Sequence, residues 1–268
     1  MSGAGTTDPI AAPPRWRAPR PTAWLGWAAF AVLFVQGVIA IDLSPERLLR
    51  GVGNLGDFLA RAFPPDTGGL DAVAWAMLET LNIAIVGVSV GVVLSLPFAL
   101  LAASNTAPHP LIRTATRLLI ATMRTIPDLV WALIFVVAVG LGPLAGMLAI
   151  VLDTIGFAAR FFAERIEEVR PGPGEALTST GAGRLSVIGG AILPETFASM
   201  TATSLYSVEK AIRSAVTLGL VGAGGIGVEL AASMRLFQYD RALMIILLIL
   251  VVVIAFEQIS AAVRRRVM

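Results

Sequence analysis

The chain has 268 residues, of which 56% are hydrophobic and 14% are charged, and its mean hydropathy is +0.82. A soluble globule of this size needs more polar surface than this composition supplies, so the sequence predicts a membrane protein. No cysteine and a single histidine exclude a Cys/His catalytic pair and argue against a thiolate or multi-histidine metal site. The net charge is only +2, and no basic stripe alternates with aromatic residues, which argues against a nucleic-acid partner.

The N-terminal part predicts a tail followed by two different helices. Residues 1–22 are rich in Pro, Gly, Ala and Arg and lack apolar periodicity, as flexible tails do. The run Ala23 to Ile41 is long enough to cross a hydrocarbon core of about 30 Å. A cleaved signal peptide is the alternative, which the length of the run and the lack of a small-x-small site disfavour.

The next segment predicts an amphipathic helix that lies along the membrane surface. Ser44 suits the N-cap and Pro45 the first helical position. The apolar residues then fall on one helical stripe, which suits an interfacial helix. This stripe consists of Leu48, Val52, Leu55, Leu59 and Phe63.

Five more apolar runs predict membrane spans, which makes six with the first. They are Ala74 to Ala103, Arg117 to Val139, Pro143 to Phe162, Thr196 to Val208 with its continuation, and Ala242 to Ile259. If the N-terminus is cytoplasmic, 13 of the 20 Lys and Arg residues fall in inside loops and segment ends. This bias predicts that both termini, and the loop between the fourth and fifth spans, are cytoplasmic.

The loop between the fourth and fifth spans, residues 169–194, carries a glycine-rich stretch that reads GEALTSTGAGRLSVIGGAILPE with its flanks. It contains a Glu-Ala pair, a glycine and a Leu-Pro pair at fixed spacing, namely Glu175, Ala176, Gly181, Leu193 and Pro194. This pattern resembles the EAA motif in permease subunits of binding-protein-dependent ABC importers. Leu177 departs from the family, which often has Ala there. An ordinary loop with glycine turns is the alternative.

The local pattern predicts a short helix with small residues, a sharp turn at Gly181 and a second short helix. Such a compact protrusion suits close contact with a soluble partner. By resemblance this is the coupling helix to which ABC ATPase subunits bind. The chain has no GxxxxGK[ST] loop, so ATP hydrolysis is expected in the partner and the chain is expected to be non-catalytic, without a cofactor.

Further stretches resemble the phosphonate transporter permease branch of this superfamily. They include ETLNIAIVGVSVGVVLSLPFALLAA, DTIGFAARFFAERIEEV and EKAIRSAVTLGLVGAGGIGVEL. The resemblance implies an all-α permease of the type I ABC importer fold, with residues 23–268 as one transmembrane domain in the bacterial cytoplasmic membrane. It also implies membrane lipid, a second copy of the chain as homodimer partner, and an extracytoplasmic substrate-binding protein.

The implied substrate is a phosphonate or a related phosphorus oxyanion such as phosphate or phosphite. An importer permease for another solute such as methionine, or a secondary transporter, is the alternative. An intramembrane enzyme is disfavoured by the scarcity of His and Cys. The formal GxGxxG at Gly222, Gly224 and Gly227 is better explained by close helix packing than by dinucleotide binding, because no βαβ unit surrounds it.

Charged residues within or near membrane spans are costly and mark candidate pathway positions. The candidates for the translocation pathway are Glu79, Arg124, Asp128, Glu209, Lys210 and Arg213. For Arg124 and Asp128, a local i,i+4 ion pair at a span entrance is the favoured interpretation. Lys210 and Arg213 are expected near the outer mouth, where their charge could attract an anion.

Overall fold

The computed structural model of the protein describes residues 21–41 and 44–267. Regular secondary structure within these ranges is helical throughout, which confirms the predicted all-α class. The α-helices in chain order are α1 (Pro21–Ile41), α2 (Pro45–Ala62), α3 (Leu70–Ala102), α4 (Pro110–Thr125), α5 (Asp128–Val139), α6 (Pro143–Glu167), α7 (Pro171–Ser179), α8 (Arg184–Val187), α9 (Leu193–Gly219), α10 (Ile226–Arg235) and α11 (Tyr239–Val267). A π-helical segment, Ile188–Ile192, joins α8 to α9.

The chain divides into two compact units, one that ends at Phe58 and one that begins at Leu59. The first unit contains α1, an apolar helix without a buried residue, and most of α2. The second unit contains the packed core. The tail predicted for residues 1–22 lies almost entirely outside the described residues, and the single permease domain over residues 23–268 stays a prediction.

Helix α2 begins and is patterned as the sequence predicts. The Arg47 N–H donates to Ser44 Oγ at 3.3 Å, and Pro45 is the first helical residue. The apolar side chains from Leu48 to Leu59 on the predicted stripe are exposed, and Phe63 lies just beyond the helix end. An amphipathic helix with an exposed apolar stripe suits a membrane surface.

Five helical segments in the described ranges are long and apolar enough to cross a membrane, and they coincide with five of the six predicted spans. They are α1, α3, α6, the continuous segment from α8 to α9, and α11. The remaining predicted span, Arg117 to Val139, is divided into α4 and α5, which are bent by 90°. Counting this pair as one broken span gives six.

The break between α4 and α5 has a local cause. Pro127 precedes α5 and cannot donate a backbone hydrogen bond, and the residue before a proline is biased away from helical geometry. Ile126 accordingly adopts φ −80° and ψ 121°. The Trp131 indole N–H donates to the Met123 carbonyl at 3.2 Å and ties the two helices together across the break.

Close packing of α3 against α6 forms the centre of the second unit. A Cβ added at Gly87 would lie 2.8 Å from Ile150 Cγ2, and one at Gly91 would lie 2.6 Å from Thr154 Cβ. The two glycines, one helical turn apart, therefore let the backbones approach as small residues do in membrane helix pairs. Helix α9 completes the core with buried residues such as Ile212.

The turn from α9 to α10 is a second closely packed region. Gly222, Gly224 and Gly225 have φ angles of 90°, 86° and 73°, which favour glycine. A Cβ at Gly227 would clash with the Val216 carbonyl oxygen and with Gly219. The glycine pattern thus serves backbone packing, in agreement with the structural interpretation of the GxGxxG sequence.

Candidate functional site

The loop that carries the EAA-like pattern folds as the sequence predicts. Helix α7 is followed by a turn in which the Gly181 N–H donates to the Thr178 carbonyl at 2.9 Å, and α8 follows. Gly181 has a φ of 83°, which confirms that the turn uses left-handed backbone. Leu193 and Pro194 open α9, so the pattern extends from α7 to the start of the next span.

Three contacts hold this coupling loop, residues 169–194, in place. At its base, Arg170 Nε donates to Glu195 Oε1 at 3.2 Å. Arg184 Nη2, at the start of α8, donates to the carbonyls of Thr106 and Ala107 at 2.8 and 2.6 Å. Helix α7 also packs on the π-helical segment, because the Leu177 side chain lies close to Gly190. These contacts fix the loop on the start of α9 and on the segment between α3 and α4.

The outer surface of the coupling loop is open. Helices α7 and α8 contain no buried residue, and Leu185 is 84% exposed. Glu175 and Ala176 are exposed, and the Glu175 carboxylate has no hydrogen-bond or ion-pair partner within the described ranges. A braced base with an unpaired carboxylate and an exposed leucine is an arrangement that a protein partner could bind.

Glu79, in α3, accepts a hydrogen bond from the turn before α10. The Gly225 N–H donates to Glu79 Oε1 at 3.1 Å, and the Ile226 N–H donates to the buried Thr80 Oγ1 at 2.7 Å. Two neighbouring side chains of α3 therefore satisfy the backbone donors at the start of α10. Glu79 thus holds the glycine turn in this structure, and a role in the pathway stays a prediction.

The prediction of an i,i+4 ion pair between Arg124 and Asp128 is wrong. The helix break places the two residues in different helices, so the spacing no longer brings them together. The Asp128 carboxylate accepts the Leu129 N–H at 2.8 Å, and Arg124 makes no ion pair in the part of the chain that the structure describes. The Arg124 side chain instead lines a cavity between α4 and α6.

Lys210 and Arg213 are both paired, and they lie within α9. Lys210 Nζ is 2.8 Å from both carboxylate oxygens of Asp153, and 5.3 Å from the centre of the Phe157 ring. Asp153 lies ten residues, or about 15 Å, along α6 from Pro143. The expected location near the outer mouth stays a prediction. A charge that is balanced by a partner can also lie inside a helix bundle.

The buried Glu209 carboxylate forms ion pairs with two arginines. Arg213 Nη1 lies 3.0 Å from Glu209 Oε1, and Arg264 Nη1 lies 3.5 Å from Glu209 Oε2. The Glu209 side chain is only 10% exposed, so both cations compensate a largely desolvated charge. This cluster ties the end of α11 to α9 beside the Lys210–Asp153 pair.

A groove runs between α6 and α9 on the side of the Lys210–Asp153 pair that leads to the coupling loop. The cavity has a volume of about 770 Å³ and is lined on α9 by Ser199, Thr203 and Tyr206. Phe157, which contacts Lys210, also borders it, and its far end reaches Glu195 at the base of the coupling loop. The Thr203 hydroxyl donates to the Ser199 carbonyl at 3.0 Å, so it is satisfied within α9.

Sequence reasoning missed several of these contacts. Thr80 gave no signal, since a hydroxyl in an apolar run is common. Arg184 was noted only as a cytoplasmic charge, although an isolated arginine in a glycine-rich stretch suggests an anchoring contact. Ser199, Thr203 and Tyr206 share one helical face by their spacing, a signal that charged residues alone do not give.

Comparison with known proteins places the chain in a family. The sequence model described as binding-protein-dependent transport system inner membrane component matches residues 95–268. The chain belongs to this family. Membership implies an ATPase and a substrate-binding protein as partners, and an inner-membrane location for the chain.

Individual family members and solved structures agree with this assignment. The phosphate-import permease protein PhnE of Mycolicibacterium smegmatis is 39% identical over 226 residues, which are 84% of this chain and 42% of that protein. The phosphite transport system permease protein PtxC of Stutzerimonas stutzeri is 37% identical over 249 residues, or 90% of each chain. The chain thus spans less than half of the mycobacterial relative and nearly all of the other.

The fold of the family is visible in a solved structure. An inward-facing conformation of the MetNI methionine ABC transporter matches with a TM-score of 0.65 at 18% identity, over 76% of this chain and 99% of that one. At this identity the match speaks for the fold alone. It confirms the type I ABC importer permease fold that the sequence resemblance implied.

Proposed function

We propose that the chain is the permease subunit of an ATP-driven importer that carries a phosphorus oxyanion, either phosphate, phosphite or phosphonate. The near full-length similarity to a phosphite permease carries this proposal, and the similarity to a phosphate-import permease supports the same substrate class. The chain forms the pathway for the substrate and does not hydrolyse ATP. A separate ATPase hydrolyses ATP, and an external binding protein delivers the substrate.

The exposed coupling loop is the proposed ATPase dock. Glu175 and Ala176 would face the ATPase, Gly181 would set the turn, and Leu193 and Pro194 would connect the dock to α9. The support is geometric, since Arg184 anchors the loop and the outer side of the loop is open. A homodimer would present two such docks to two ATPase subunits.

The substrate path is proposed to follow the groove between α6 and α9, with Lys210 as its anion-binding residue. The Lys210 side chain is 35% exposed and that of Asp153 is 23% exposed, so an anion could compete with the Asp153 carboxylate. Arg213 is committed to Glu209, and Glu79 holds the glycine turn. Lys210 is also the one lysine of the whole sequence.

Uptake by the complete importer tests the substrate class. The chain is expressed with its cognate ATPase and binding protein in a bacterial strain that cannot import phosphorus oxyanions, and uptake of labelled phosphate, phosphite and phosphonate is measured. We expect uptake of at least one of them, and none when the ATPase is left out. Uptake of methionine without uptake of any phosphorus compound would overturn the substrate assignment.

A double-mutant cycle tests the role of Lys210. Lys210→Gln alone leaves Asp153 unpaired, so it should impair both assembly and uptake. If Lys210 binds the substrate, adding Asp153→Asn should restore assembly but not uptake. Lys210→Arg, which keeps the positive charge, should keep part of the assembly and part of the uptake. Full uptake by the assembled double variant would show that the pair is only structural.

The orientation of the chain is proposed from the Lys and Arg bias, with both termini in the cytoplasm. The sequence contains no cysteine, so single cysteines at positions 5 and 268 can be labelled with a membrane-impermeant reagent. We expect labelling in inverted vesicles and not in intact cells. Labelling of either position from outside intact cells contradicts the proposed topology.

A further inference from the structure

A second charged cavity lies between α4 and the last part of α6, apart from the groove between α6 and α9. It has a volume of about 340 Å³. Arg117 and Arg124 line it on α4, and Arg160, Glu164 and Glu167 line it on α6. The rest of the wall is made by alanines and one isoleucine. The proposed translocation path does not use this cavity.

The positive charges of the cavity exceed the negative ones. Arg160 Nε donates to Glu164 at 2.8 Å, and Arg117 Nη2 donates to Glu167 at 2.7 Å, so each carboxylate has one partner inside the cavity. Arg124 has no hydrogen-bond or ion-pair partner among the described residues. The third guanidinium is therefore uncompensated.

Neighbouring groups add to this excess. Glu167 also lies 3.6 Å from Arg113 Nη2 and accepts the Ser104 N–H at 2.5 Å, so its charge is shared among several donors. A guanidinium carries five N–H donors, and Arg160 and Arg117 use only some of theirs in these contacts. Donors therefore remain for a further acceptor.

We propose that this cavity binds a phosphate group. Guanidinium groups recognise tetrahedral phosphate oxygens through paired, charge-assisted hydrogen bonds, and three of them line this cavity. The cavity is wide enough for such a group. Both soluble phosphate and the headgroup of an anionic phospholipid offer this chemistry.

The cavity lies between the broken span and the helix that leads into the coupling loop. Arg124 lies one residue from the end of α4, directly before the break that leads to α5. Its backbone packs on Gly156 of α6, where a Cβ would lie 3.0 Å from the Arg124 nitrogen. Glu167 ends α6, three residues before Arg170 at the base of the coupling loop. A bound phosphate group would therefore join the broken span to the helix that leads into the coupling loop.

Binding to the purified full-length chain, assembled with its ATPase, tests the proposal. Inorganic phosphate is titrated in detergent while thermal stability is recorded. Retention of phosphatidylglycerol is measured by native mass spectrometry after purification from nanodiscs that contain phosphatidylcholine with or without that lipid. Arg124→Gln should weaken binding of the recognised probe about tenfold or more, because it removes a charge-assisted contact. Arg235→Gln, which removes an exposed arginine on α10, is the matched control and should change nothing.

A third variant separates this cavity from the substrate path. Lys210→Gln combined with Asp153→Asn removes the residue proposed to bind the anion in the substrate path. Phosphate-group binding that persists in this variant and falls on adding Arg124→Gln therefore belongs to the cavity between α4 and α6. Phosphate binding that is sensitive to Arg124 indicates a soluble anion, and lipid retention that is sensitive to Arg124 indicates a headgroup. Loss of binding in the Lys210 variant with no effect of Arg124→Gln would overturn the proposal, as would the absence of binding of both probes.

Discussion

Two glycines in the coupling loop provide a controlled test of how the turn supports ATPase docking. Gly181 and Gly183 are both exposed, and a Cβ added to either would meet no atom within 4 Å. They differ in backbone conformation, because Gly181 has a φ of 83° and Gly183 a φ of −70°. Gly181→Ala therefore costs about 1–2 kcal/mol of left-handed strain, whereas Gly183→Ala costs almost none.

This strain converts into a measurable loss. A cost of about 1–2 kcal/mol lowers the equilibrium constant for the turn about 5- to 30-fold. If the ATPase binds only the turned loop, its apparent affinity falls by up to that factor. Gly181→Asn should be milder, because Asn adopts left-handed backbone more readily than Ala.

The assay is retention of the ATPase on the tagged permease, together with ATP hydrolysis stimulated by the loaded binding protein. Gly181→Ala should impair both while the permease remains folded, and Gly183→Ala should behave as wild type. If Gly181→Ala and Gly183→Ala both behave as wild type, the argument from φ is refuted. If both variants are impaired to the same extent, contact with the partner surface, and not backbone strain, governs this loop.

Three further changes probe single contacts. Thr80→Val leaves the Ile226 N–H without its acceptor, so it should lower the free energy of unfolding by about 1–3 kcal/mol, measured as thermal stability against a Thr80→Ser control. Glu175→Ala should weaken ATPase binding about tenfold if the exposed carboxylate makes a charge-assisted contact, measured by the same retention assay. Arg184→Gln should reduce stimulated ATP hydrolysis, because it removes the contacts that hold the start of α8. The Arg170 side chain is 83% exposed, so Arg170→Gln should lower the free energy of unfolding by less than about 1 kcal/mol and leave hydrolysis nearly unchanged.

The sequence predicted the spans because bilayer thickness imposes a length on any apolar helix. It predicted one uninterrupted span where the structure has α4 and α5, although Pro127 marks the break. Hydropathy averaged over the run hid this feature. The arginines of α4, at positions 113, 117 and 124, are spaced along one helical face and suggest that α4 is not an ordinary lipid-facing span.

The coupling loop was predictable because its signals are local. A glycine at the turn and a Leu-Pro pair at the start of α9 act within a few residues, and the resemblance supplied the spacing. The charge pairs were not predictable, because Lys210 and Asp153 are 57 residues apart and no period connects them. A single sequence indicates that a charge in a span needs a partner, but helix packing decides which one.

The coupling loop and the groove share the same two helices, and this gives the proposed ATP-driven import a mechanical basis. Helix α6 runs without a break from Pro143 past Asp153 to Glu167, and α9 runs without a break from Leu193 past Lys210 to Gly219. The loop connects the end of one to the start of the other. Close-packed helices move as rigid elements, so a displacement of the loop by the ATPase must shift or separate α6 and α9.

Two contacts along this helix pair differ in their resistance to such a movement. The Arg170–Glu195 contact at the base is exposed and therefore weak, and the π-helical segment before Leu193 is a local irregularity that can change its hydrogen bonding. The Lys210–Asp153 pair is partly desolvated, so separating it without a substitute leaves two costly charges. An oxyanion that binds Lys210 becomes the partner of that ammonium in place of Asp153, so one of the two charges is compensated. The energetic cost of opening the groove would thus fall when substrate is present, which would couple ATP-driven movement of the loop to passage of an anion.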